Sequence, residues 1–196
     1  PVCSERKKSR TGNKRGRRMD PISNFIEKID QQELWDGRLQ LKRNEFLKTK
    51  SSTDTKLYFV VSGSLKVYVL DEYEESIIRF GYKNNFIASL DSFISEKPSD
   101  LCIQAIKKTE LKVIAKSSFM HFVESSEENT KVWISMLSGL IFQQIERERD
   151  LLTSSPVERY RRVLARSPQL FQEIPNKYIA SYLRMTPETL SRIKKS

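Results

Sequence analysis

The sequence has few of the residues that metal and disulfide chemistry use. Among 196 residues there are two cysteines, Cys3 and Cys102, and one histidine, His121. Two cysteines cannot form a disulfide framework, and they lack the paired spacing of a zinc or iron–sulfur site. A single histidine excludes a multi-histidine metal centre within one chain. No apolar run approaches the ~20 residues of a membrane-spanning helix, and no apolar h-region follows the basic start, so a cytoplasmic protein without a membrane partner is expected. The chain also offers no glycine-rich phosphate loop and no nucleophile–histidine–acid set, which argues against an enzyme.

What the sequence has in excess is positive charge, with 35 Lys and Arg against 25 Asp and Glu. Residues 1–18 carry a net +7, residues 19–155 a net −3 and residues 156–196 a net +6. Two basic ends around a mildly acidic body are the pattern of an electrostatic footprint on nucleic acid. The first 18 residues also read as a solvated tail, and their position ahead of Met19 leaves open whether they belong to the native protein.

Along the body, Ile22, Phe25, Ile26 and Ile29 share a helical face, which predicts a short helical cap. Residues 39–115 then switch to short β-type runs, among them Leu57–Val61, Leu65–Leu70, Ser76–Phe80, Leu101–Ile106 and Leu111–Ile114. Ser62-Gly63-Ser64 and residues 71–75 punctuate them as turns, so an antiparallel sandwich or roll is expected. After a short amphipathic piece at 118–123, residues 127–152 run without proline. Trp133, Leu137, Leu140, Ile141, Gln144, Glu148 and Leu151 recur there at helix-seam spacing. Such a seam serves either packing on the chain's own β domain or pairing with a second copy. Because Val132, Ile134, Met136, Phe142 and Ile145 surround it, both faces are expected to be used, giving a homodimer.

Ser154-Ser155-Pro156 ends the long helix, and Asn176 to Lys195 follows helix–turn–helix grammar. Ile179, Leu183, Met185, Leu190 and Ile193 would lock two short helices, with small Ala180 at their closest approach. Thr186 can cap the second helix, and Pro187 fits its first position, where no backbone N–H is needed. Lys177, Tyr178, Thr186, Glu188, Thr189, Ser191, Arg192, Lys194 and Lys195 are the candidate DNA contacts, with Arg192 placed for a guanine and Glu188 for a cytosine amino group. Arg184 stands where the tight turn favours glycine, at a cost of about 1–2 kcal/mol if the conformation is left-handed. A plain helical hairpin with a basic solvent face has the same grammar.

Two stretches resemble the Crp/Fnr family of bacterial transcription regulators: Leu57 to Tyr68, like that family's strand–glycine–strand hairpin, and Pro187-Glu188-Thr189-Leu190-Ser191-Arg192, like the start of its recognition helix. Glu188 and Arg192 match the family's base-contacting glutamate and second arginine, while Pro187 replaces the first arginine. The resemblance implies an α+β chain: an N-terminal antiparallel, jelly-roll-like β-roll of the cyclic-nucleotide-binding type (19–116), a short helix and dimerisation helix (117–153), and a C-terminal winged helix–turn–helix (154–196). The wing's strand pair would have to precede the helix–turn–helix, near Phe171 to Ile174.

The family's ligand signature is a poorer match. Phe86-Ile87-Ala88-Ser89 lacks its glycine and glutamate, and Ser99-Asp100-Leu101-Cys102 lacks its arginine, without which a cyclic phosphate loses its bidentate partner and meets Asp100 instead. Phe86, Ile87, Ala88, Ser89, Ser99, Asp100, Leu101 and Cys102 remain the candidate effector pocket, and neither cyclic AMP nor cyclic GMP is expected to bind. Cysteine and histidine counts likewise leave no expected iron–sulfur cluster, haem or other metal. The implied function is that of a homodimeric regulator on an inverted-repeat operator of double-stranded DNA, with RNA polymerase as a candidate partner. The alternative is a sensory or scaffold β-roll that binds a protein or small molecule and carries a purely structural C-terminal hairpin.

Overall fold

The computed structural model describes residues 20–71 and 74–195. The basic tail 1–18, with Cys3, lies outside them. Helix α1 (Pro21–Gln31) starts where Asp20 accepts a hydrogen bond from the Ser23 amide at 3.3 Å and Pro21 takes the first helical position. Its buried face holds Phe25 and Ile29, and the Phe25 ring meets those of Phe119 at 6.1 Å and Phe122 at 5.0 Å.

Among the described residues, eight strands then build two four-stranded sheets with antiparallel pairing throughout. They are β1 (Gly37–Leu41), β2 (Phe46–Lys48), β3 (Leu57–Ser62), β4 (Ser64–Asp71), β5 (Glu74–Tyr82), β6 (Phe86–Ile87), β7 (Leu101–Ala105) and β8 (Thr109–Ile114). One sheet has the order β1-β8-β3-β6 and the other β2-β7-β4-β5. Apart from the consecutive pair β4 and β5, each hydrogen-bonded neighbour is thus supplied from a distant part of the sequence, as in a roll. Alternation along the strands sends Val60, Leu65, Val67, Ile103, Ala105 and Leu111 into the space between the sheets, where they are buried. The β3–β4 turn requires its glycine: Gly63 has φ +87°, and a Cβ there would lie 2.3 Å from the Lys108 carbonyl oxygen.

Helix α2 (Leu90–Ser95) interrupts the roll, and α3 (Lys116–Glu124) closes it. The 26-residue α4 (Glu127–Leu152) begins where the Asn129 amide donates to Ser126 Oγ at 3.2 Å, with Glu127 and Glu128 in its first turn. Among the described residues four helices follow: α5 (Pro156–Arg166), α6 (Leu170–Glu173), α7 (Asn176–Tyr182) and α8 (Pro187–Lys195). This corrects one part of the expectation. Among the described residues no strand follows Ile114, so the anticipated wing is absent, and Phe171 to Ile174 belongs to or abuts the short helix α6. The six residues between Pro168 and Pro175 hold the short helix α6 and leave no extended segment for a strand pair.

The C-terminal helices do not stand apart from the roll. Tyr68, Ile77, Phe80, Cys102 and Ile106 project from the outer face of the β2-β7-β4-β5 sheet into one apolar cluster with Val163, Leu170, Ile179, Ala180, Leu183 and Leu190. That docking explains why a sheet face pointing away from the roll interior is apolar. It also buries Lys66, which pairs with Glu75 and whose Nζ lies 5.3 Å from the Tyr178 ring centroid.

Candidate nucleic-acid interface

Helices α7 and α8 are held by Ile179, Ala180, Leu183 and Leu190, each with no measurable exposure. The turn between them is closed by the Arg184 amide on the Ser181 carbonyl and the Met185 amide on the Ala180 carbonyl, both at 3.0 Å. Arg184 has φ +54°, the left-handed conformation expected where a glycine would be cheaper. The Thr189 amide donates to Thr186 Oγ1 at 3.2 Å, and the two threonine hydroxyls lie 3.2 Å apart. Thr186 therefore caps α8 and keeps part of Thr189 occupied.

The outward face of α8 carries Glu188, Ser191, Arg192, Lys194 and Lys195, all exposed. Glu188 is held below the ordinary carboxylate range by its own backbone N–H and the Thr186 hydroxyl, so it is a charged acceptor at neutral pH. Lys194 Nζ donates to Asn176 Oδ1 at 3.0 Å, which leaves Arg192 as the cation nearest the middle of the face and, among the described residues, without an ion pair. Lys177 is exposed at the start of α7. Tyr178 departs from the DNA-contact list: its ring is half-buried in the seam with the roll, beneath Lys66 and Lys177. Sequence reasoning missed what lies beside that seam. Arg43, Lys107 and Lys108 of the roll join Lys177 around a concavity of about 380 Å³, extending the basic surface beyond the helix–turn–helix.

The candidate effector residues do not form one pocket. Phe86, Ile87 and Ala88 line a cavity of about 330 Å³ between the roll and α4. Ser89 and Ser99 are buried against each other, Oγ to Oγ 3.2 Å, and both bond to Asp91. Burial opposes the Asp91 charge, but bonds from Ser99, the Ser92 amide and Ser89 outweigh it and hold the carboxyl below its usual range. The Ser99 and Leu101 carbonyls accept from the buried Lys48 ammonium at 2.9 and 2.8 Å, while Asp100 points to solvent. Cys102 is a correction with a simple cause: alternation along β7 directs Ile103 into the roll, so Cys102 faces outward beneath the C-terminal helices. Lys48 carried no sequence signal, since nothing local says that this cation is buried.

Comparison with known proteins places this geometry. Residues 38–126 match the family model of the cyclic nucleotide-binding domain. No curated protein sequence matches the chain. Among solved structures, FixK2 from Bradyrhizobium japonicum is 18% identical with a TM-score of 0.66, over 81% of this chain and 82% of that one. A CooA mutant from Carboxydothermus hydrogenoformans is 15% identical with a TM-score of 0.67, over 87% and 82%. The catabolite activator protein of Thermus thermophilus is 17% identical with a TM-score of 0.56, over 90% and 85%. The chain shares the fold of these three structures. At these identities the likeness carries the architecture alone.

Within this fold, the phase of the long helix differs from the expected seam. Trp133 packs its ring against Phe119 at 5.1 Å, and Leu140 lines the cavity, so both face the chain's own roll. Leu137 is half-buried. Gln144, Glu148 and Leu151 are exposed, as is Ile141 at 63%. The outward apolar stripe is instead Ile134, Ile141, Ile145 and Leu152, joined by Phe142, at steps of seven, four and seven residues. Among the described residues no helix is long and apolar enough to cross a membrane.

Proposed function

We propose that this chain is a sequence-specific DNA-binding transcription regulator that acts as a homodimer on an inverted repeat and does not respond to cyclic AMP. The observation that carries the reading is the α8 face. Glu188, Ser191 and Arg192 stand exposed on the first two turns of a helix whose buried side is fixed by Leu190, with Lys177, Lys194 and Lys195 around them. A face of this composition supplies an acceptor for cytosine N4, a fork for guanine O6 and N7, and cations for phosphates. The Ile134–Ile141–Ile145–Leu152 stripe supports pairing of two α4 helices about a two-fold axis, which would present two α8 helices about 34 Å apart. As an activator the dimer would also touch RNA polymerase; as a repressor it needs only the operator.

The reading on cyclic AMP rests on what occupies the roll. Its interior is filled by Tyr58, Leu65, Ile87, Ile103 and their neighbours. The β6–β7 segment carries no arginine to pair with a cyclic phosphate. Calorimetric titration with cyclic AMP is expected to give no low-micromolar binding.

The test of the whole reading is selection of genomic fragments by the purified chain at about 150 mM salt, which suppresses non-specific phosphate binding. An enriched inverted repeat with half-sites one helical turn apart is expected. Salt-sensitive binding without a motif would instead favour a scaffold whose C-terminal hairpin serves only to cover the outer face of the roll.

A further inference from the structure

Strand β2 buries a lysine. Strict alternation would put Phe46 and Lys48 on the same face, yet Phe46 is 47% exposed and Lys48 only 3%. The β2–β7 pairing shifts register between them, and such a bulge re-aims the side chain that follows it. Lys48 Nζ then donates to the carbonyl oxygens of Thr49 at 3.0 Å, Ser99 at 2.9 Å and Leu101 at 2.8 Å. Three N–H donors meet three acceptors, so the ammonium is fully coordinated, whereas a neutral amine would turn its lone pair on a carbonyl oxygen. Burial opposes the charge and pulls Lys48 below the ordinary lysine value, while nearby groups, Asp91 foremost, favour it.

The segment that supplies two of those carbonyls is tied down along its length. The Ser99 amide donates to the Ser52 carbonyl at 3.1 Å, and the Ser99 carbonyl accepts from the Ser51 amide at 2.9 Å. Ser92 Oγ accepts from the Asp54 amide at 2.9 Å and donates to the Lys97 carbonyl at 2.8 Å. Ser89 Oγ donates to Asp91 at 3.0 Å and lies 3.2 Å from Ser99 Oγ. Among the described residues the buried side-chain polar atoms without a partner are Ser64 Oγ, Arg147 Nη1 and Arg159 Nε, and none of them belongs to this segment. From Leu101 the clasp passes into β7, whose outer face carries Cys102 beneath the C-terminal helices.

We infer that Lys48 is a tethered cation that fixes residues 89–101, and through β7 the seat of the C-terminal helices, in one arrangement, so that the chain binds DNA without a small-molecule effector. The ammonium supplies from inside the chain the charge-assisted bonds that a ligand would supply from outside. Because it is covalently attached, its bias on the segment is constant, whereas that of a dissociable ligand varies with concentration. Effector independence rests on the DNA-binding reading, and the clasp itself is measured without DNA.

The tests use the full chain. In wild type labelled with nitrogen-15 lysine, the Lys48 ammonium should give a solvent-protected proton–nitrogen correlation at neutral pH, a readout that needs no substitution. Lys48→Met keeps the stem and removes the charge, so hydrogen exchange over 89–101 should rise at least about tenfold, the effect of losing one charge-assisted hydrogen bond, with a smaller rise in α7 and none in α1. Lys48→Ala should regain slow exchange in propylammonium chloride, which restores the missing atoms, and not in neutral propanol. Native mass spectrometry of the wild type on its selected operator should show the masses of protein and DNA alone. An unprotected Lys48 ammonium, unchanged exchange over 89–101 in Lys48→Met, or equal rescue by propanol overturns the clasp. A stoichiometric small molecule whose removal weakens operator binding overturns effector independence. Failure to select any operator would remove the DNA-binding reading and the effector claim with it, while the exchange data still decide the clasp.

Discussion

Replacing Asp150 by asparagine takes one negative charge out of the joint between α4 and α5 while conserving volume. The Asp150 carboxylate has no exposure, and it accepts from Arg162 Nε at 3.0 Å, from Arg166 Nη2 at 2.5 Å and more weakly from Arg166 Nη1 at 3.5 Å. Hydrogen bonds to charged groups contribute about 1.5–3 kcal/mol each, and breaking a buried pair costs about 3–5 kcal/mol. Here the cost falls below that ceiling. Arg162 and Arg166 keep Glu146 at 2.9 and 3.6 Å, and their side chains are 27% and 20% exposed, so water takes part of the lost load. The expected loss is about 2–3 kcal/mol, or about 4–12 °C in thermal midpoint for a chain of this size. Thermal unfolding followed by circular dichroism at neutral pH, at fixed protein concentration, measures it. A midpoint within about 2 °C of the wild type would refute the claim that this ion-pair cluster fixes the α4–α5 joint.

Three further outcomes follow from particular residues. Ile141→Glu with Ile145→Glu puts like charges on the outward stripe of α4 and should give a monomer by light scattering, with the far-ultraviolet spectrum unchanged; a dimer of unchanged mass would remove the stripe from the interface. Arg184→Gly relieves the left-handed turn at φ +54° while losing only an exposed contact to Ser76 at 3.3 Å, and should raise the thermal midpoint by about 1–3 °C; a lowered midpoint would show that the Arg184 side chain outweighs the strain. The Asp91 carboxyl lies below its ordinary value of 3.8, so its contribution is present above that pH and lost as pH falls through the lower folded value. Ser99→Ala removes one of its hydrogen bonds and should move acid unfolding, followed by tryptophan fluorescence, to higher pH; an unmoved transition would show that Ser99 does not support the charge.

Much of the architecture was legible because local chemistry and tertiary packing agree. The Leu57–Tyr68 hairpin alternates around a glycine that the turn demands, Thr186 caps α8 as the sequence suggested, and Ser155 caps α5 at the break read from Ser154-Ser155-Pro156. The short strands β1, β2 and β6 carried less signal, since two to five residues, with charges in β1 and β2, become strands only by pairing with β8, β7 and β3. The phase of α4 was unreadable for a different reason. Apolar residues surround that helix, and only the fit of Trp133 against Phe119 decides which stripe meets the roll. The divided fate of 86–88 and 99–102 has the same origin: strand alternation sends Cys102 to the outer face, and a buried Lys48 holds the carbonyls of Ser99 and Leu101. Buried cations such as Lys48 and Arg147 leave no trace in a sequence, where lysine and arginine read as surface.

The most direct test of the central claim is the affinity of wild type and Arg192→Ala for the selected operator and for its single-base variants, at matched salt. If α8 reads bases in the major groove, Arg192→Ala relaxes discrimination at one symmetric position by about 1–3 kcal/mol and leaves the other positions intact. Equal weakening on every sequence, specific and random alike, would contradict the account and reduce Arg192 to a phosphate contact.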